Sequence, residues 1–100
     1  MIKTYSVVTT HQADKDIKEA RDWYDLQEPW LGDYFLDQLL EFRNRLSIFP
    51  MRFPRILGDV RRGKLSKFQD HIYFIIKETQ IVIIAVVHGK RHPDFWKKPR

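Results

Sequence analysis

Residues Ile81 to Val87 read IVIIAVV, seven apolar side chains in a row, all but Ala85 β-branched. Side chains of a strand alternate between its two faces, so this run loads both faces with hydrocarbon. An interior strand with cover on both sides tolerates that; an exposed one does not. The run is also far short of the ~20 residues that cross a bilayer. The rest of the chain must therefore supply the cover.

Two amphipathic stripes can do so. Ala13, Ile17, Ala20, Trp23 and Tyr24 recur at three- and four-residue steps, which predicts a helix from about 11 to 27. Thr10 is placed to cap it, and Asp14 and Asp16 suit its positive end. Pro29 breaks the pattern. Leu31, Phe35, Leu39, Phe42, Leu46 and Phe49 then form a second stripe, widened by Leu36 and Leu40 and ending before Pro50 and Pro54. Helices joined so briefly form an antiparallel hairpin.

The remaining segments are β-rich. Residues 2–8 read as an opening strand, and after the Gly58-Asp59 turn come strands at about 60–67, 71–77 and 80–87, with short links at 68–70 and 78–79. The order β-α-α-β-β-β predicts an α+β fold, a helical hairpin on a mainly antiparallel four-stranded sheet. One hundred residues make a single domain, 1–100. Cysteine is absent, which removes disulfides and thiolate metal or redox chemistry. No secretory signal opens the chain and no run is long enough for a membrane partner, so a soluble cytoplasmic protein is the expectation.

Charge is divided unevenly. Residues 1–59 carry eight Lys/Arg and ten Asp/Glu, whereas residues 60–100 carry ten Lys/Arg and three Asp/Glu. A basic C-terminal part points to an anionic partner. Strand alternation sets Arg62, Lys64 and Ser66 on one face and Arg61, Leu65 and Lys67 on the other. In the next strand His71 and Tyr73 share a face, opposite Ile72, Phe74 and Ile76. An open sheet face with Arg62, Lys64, His71 and Tyr73 is expected, with His88 to His92 arriving at the end of the neighbouring strand. Cations, imidazole and a ring together suit a phosphate backbone, with Arg61, Lys67 and Lys90 adding charge nearby. Cations on an open sheet face equally deter edge pairing. His88 and His92 lie four apart, a metal spacing only on a helix, and Gly89 and Pro93 oppose one, so no metal or cofactor is expected.

Taken in order, ADKDIKEARDWYDLQEPWLGDYFLDQL (13–39), FP (49–50), LSKFQDHIYFII (65–76) and IVIIAVVHGKRHPDFW (81–96) resemble the RelE/ParE superfamily, toxins of type II toxin–antitoxin modules. The resemblance covers nearly all of the chain. It implies a small α+β toxin bound by a cognate antitoxin. RelE-like members cut mRNA on the ribosome without a metal; ParE-like members share the fold, lack the nuclease constellation and inhibit DNA gyrase. Carried over residue by residue, the RelE pattern implies phosphate contacts at Arg62, Lys64 and Arg91, with His71 where the family has an arginine. Its C-terminal tyrosine has no match here, and by resemblance to YoeB-like toxins His88 or His92 would replace it. The leading expectation is a metal-independent, ribosome-dependent mRNA endoribonuclease with the ribosome and mRNA as partners; the alternatives are a non-enzymatic gyrase inhibitor and a non-toxic member that keeps only antitoxin binding.

Overall fold

The computed structural model describes residues 4–89. Its elements are β1 (Ser6–Thr9), α1 (His11–Gln27), α2 (Leu31–Ile48), a 3-10 turn (Pro50–Arg52), β2 (Arg55–Leu57), β3 (Val60–Lys64), β4 (Asp70–Lys77) and β5 (Gln80–His88). The Thr10 hydroxyl accepts the Ala13 amide at 3.1 Å, so α1 starts where its capping residue dictates. α2 has no such cap of its own. Instead the Asp25 carboxylate of α1 accepts the Gly32 amide at 2.8 Å and closes the corner between the helices.

The sheet has five strands in the order β1-β5-β4-β3-β2, with β1 parallel to β5 and the other pairs antiparallel. The expected four-stranded sheet gains a strand because Arg55–Leu57 folds back on β3 through Gly58, whose φ is +53°. Conversely, the strand expected over 60–67 ends at Lys64. The helical hairpin covers one face. Phe35, Phe42 and Leu46 from α2 meet Ile72, Phe74, Ile81 and Ile83 from the sheet, all at 2% exposure or less. Gly63 lets α2 lie close to β3, since a Cβ there would come within 2.6 Å of Phe42 and 2.7 Å of Phe53.

β5 is an interior strand between β1 and β4, with buried side chains on both faces although the helices cover only one. Ile81, Ile83 and Val86 enter the helix-side core, while Ala85 and Val87 join Tyr73 in a smaller cluster on the opposite face, with Ile56, Val60 and Ile84 packed against it. The switch from odd to even numbers marks a bulge. Tyr73 pairs with Ala85 but Phe74 pairs with Ile83, so Ile84 is an extra residue in β5. One inserted residue exchanges the faces of everything beyond it. Val86 and His88 consequently point toward α1.

Candidate functional site

On the face away from the helices, β3 and β4 are in simple register: Arg62 lies opposite Tyr73 and Lys64 opposite His71. Arg62 and Lys64 are exposed, and the Lys64 ammonium donates to the Leu65 carbonyl at 3.1 Å. His71 is half-buried beside them. Burial, then the charges of Arg62 and Lys64 and, more weakly, His88, push its pKa below the ordinary imidazole value, with Asp70 partly opposing. A neutral imidazole between two cations can accept a proton while the cations hold an anion.

The structure departs from the expected site in three ways. Tyr73 lies on the expected face but is only 4% exposed, packed with Ala85 and Val87, so it offers no stacking surface. Arg61, on the opposite face as alternation sets it, adds no charge to the site because it is engaged in the fold, donating to the Phe53 carbonyl at 2.7 Å and to Met51 Sδ at 3.4 Å. His88 does not join His71. The bulge at Ile84 turns it to the helix side, opposite Asp70 in register, with its ring 6.2 Å from that of Trp23. Lys67 is exposed in the link between β3 and β4. Lys90, Arg91, His92 and Trp96 lie outside the described residues. Gly89 is described: its amide donates to the Gln69 carbonyl at 2.7 Å, and a Cβ there would sit 3.1 Å from the His71 ring.

The site therefore divides into two groups, one on each side of the sheet. Arg62, Lys64 and His71 stand on the outer side. Behind it, Tyr24 of α1 donates its hydroxyl to the buried Asp70 carboxylate, and burial together with Asp70 drives the phenol pKa upward. Asp70 was absent from the sequence expectation although its position announced it. It shares strand parity with Ile72, Phe74 and Ile76, and a charge in core phase needs a buried partner. Among the described residues no helix is long and apolar enough to cross a membrane.

The family model for the ParE toxin of the type II toxin–antitoxin system parDE matches residues 7–93. A comparison with curated proteins finds no match. Among solved structures, a chromosomal ParDE toxin–antitoxin system from P. aeruginosa superposes with a TM-score of 0.77 at 18% identity, covering 88% of this chain and 99% of that one. An archaeal RelE–RelB complex from Pyrococcus horikoshii OT3 gives 0.57 at 19% identity, over 89% and 99% of the two chains. The RelBE2 toxin–antitoxin complex from Mycobacterium tuberculosis gives 0.52 at 22%, over 88% and 94%. The fold is thus similar to both ParE-type and RelE-type chains.

Proposed function

The chain belongs to the ParE toxin family of type II toxin–antitoxin systems, and on that premise we propose that it arrests growth by inhibiting DNA gyrase without cutting RNA, and that a cognate antitoxin holds it in check. The observation that carries this reading is the division of the candidate site. Metal-free RNA cleavage needs one group to take the proton of the attacking 2′-hydroxyl and another to protonate the leaving oxygen. The bulge at Ile84 leaves His71 with the cations and puts His88 behind the sheet. Tyr73, the other ring on the outer face, is buried. The match to the ParE family model agrees with a toxin that keeps the fold and dispenses with the nuclease chemistry.

Two assays run in parallel test it. Induction without the antitoxin should leave mRNA 5′ ends unchanged, and the purified chain should block supercoiling by purified gyrase. New cuts within translated messages, with supercoiling intact, would overturn the proposal. Harmless induction with both assays negative would instead favour a member that only binds its antitoxin.

One observation favours the endoribonuclease as a second reading. Lys64 and His71 are direct cross-strand partners beside Arg62, so a phosphate held by the cations would lie next to a neutral base. In that reading Arg91 or His92 supplies the remaining group. His71→Gln would then abolish cutting, while His88→Ala would leave it intact.

A further inference from the structure

Residues 43–62 hold six of the chain's nine arginines, no lysine and a single carboxylate, Asp59. They run from the last turns of α2 through the 3-10 turn and β2 into β3, at the edge of the sheet remote from β1. We propose that Arg45, Arg52, Arg55 and Arg61 of this segment form a contact surface for the phosphate backbone of duplex DNA. The proposal goes beyond gyrase inhibition; only the choice of DNA over RNA rests on that reading.

The four cations are linked through rings and a strand pair. Arg45 lies over the Phe42 ring at 5.7 Å, Phe42 meets Phe53 with centroids 5.2 Å apart, and Arg61 donates to the Phe53 carbonyl at 2.7 Å. Arg61 also donates at 3.4 Å to Sδ of Met51, the residue before Arg52. The Arg52 guanidinium sits 4.0 Å over the Phe49 ring. Arg55 is the direct cross-strand partner of Arg61. Arg45, Arg52 and Arg55 are exposed. A guanidinium seated on a ring keeps its N–H edge free for oxygen acceptors and has less freedom to lose on binding.

The strand pair points to an anion independently of the arginine count. Like charges directly opposite one another on neighbouring strands are destabilising. Arg55 and Arg61 stand so, and among the described residues the ion pairs are Lys18–Asp22, Arg21–Asp25 and Arg21–Asp33, none of them on this surface. An anion lying across both arginines relieves the repulsion, and a row of phosphates serves all four. Lysine is the usual guard of an edge strand, so protection of β2 does not explain a segment that uses arginine alone. The planar arginine fork grips phosphate oxygens two at a time, which an ammonium cannot do. The rings select a duplex over a single strand. Unpaired bases stack on open aromatic faces, whereas here Phe49 carries Arg52, and Phe42 is fully buried against Phe53. The rings seat cations, and what cations meet on a duplex is about one phosphate per 1.7 Å of its axis.

The test is fluorescence anisotropy of a short labelled DNA duplex titrated with the full chain over a series of salt concentrations, with single-stranded DNA, duplex RNA and poly-glutamate as parallel ligands. Duplex DNA should bind most tightly, its log affinity falling linearly with log salt. Arg52→Gln and Arg55→Gln should each weaken it about 3- to 10-fold at low salt and lower the salt slope by about one. Lys15→Gln and Lys77→Gln remove the same charge from exposed positions elsewhere and should do neither. The pair Arg52→Lys/Arg55→Lys should recover the parental slope; failure to do so would assign the loss to the fold and overturn the proposal. Equal or tighter binding of single-stranded DNA, duplex RNA or poly-glutamate would overturn it, as would equal losses in the lysine controls. So would binding that vanishes in Arg62→Gln/Lys64→Gln and survives intact in Arg52→Gln, which would give the DNA to the opposite face. Gyrase is absent from this assay, so its outcome is separate from that of the supercoiling assay.

Discussion

His71 is half-buried and in register with Lys64, and its depressed pKa has a consequence for stability. The unfolded chain, with an ordinary value near 6.5, binds a proton more readily than the folded one. Stability is therefore fully retained above that value, falls as pH drops below it, and levels off only beneath the folded pKa. His71→Gln removes this dependence. Urea midpoints between pH 7.5 and pH 5 should fall less for the variant than for the parent, and parallel curves would show that His71 does not titrate abnormally. Arg62, Lys64 and His71 were placed together by alternation alone, because Leu65 fixes the phase of the first strand and Ile72, Phe74 and Ile76 that of the second. His88 escaped that logic. IVIIAVV is apolar in either phase, so no side chain in it marks the extra residue at Ile84, and the pattern that demanded an interior strand also concealed its change of face.

At the level of elements, the corner between α1 and α2 depends on a borrowed cap. Asp25 accepts the Gly32 amide, and the site is so tight that a Cβ on Gly32 would meet the carboxylate oxygen at 2.3 Å. Asp25→Ala should cost about 0.5–2 kcal/mol by chemical denaturation, in the range of a lost N-cap. Asp25→Asn, which keeps an acceptor oxygen, should recover most of that; equal losses would assign the effect to the Arg21 contact at 3.9 Å instead. The bounds of α1 were legible because cap, acidic first turn and apolar stripe agree. β2 was not, since three residues between Pro54 and Gly58 are too few to show a period. The parallel partnership of β1 was equally hidden, because pairing between distant strands leaves no local mark.

Across the whole molecule, that partnership governs assembly. β1 is bonded only to β5 within the sheet, Ser6 to Thr9 lying beside Gln80 to Ile83, and Tyr5 and Arg43 tie the same edge to α2 through the Ser47 and Val7 carbonyls. Closing so long a loop is entropically expensive, and folds built on distant pairings form slowly. In pulsed hydrogen exchange during refolding, the Val7 and Val8 amides should gain protection together with β5 or after it. Protection of β1 ahead of β5 would show that the edge forms on the helices alone. The same arrangement sets a clock on biosynthesis. Synthesis runs from β1 toward β5, so β1 must wait for β5 before it has a place in the sheet. A growing chain therefore lacks a finished sheet until β5 has left the ribosome, and a toxin of this topology acquires its shape only after that point.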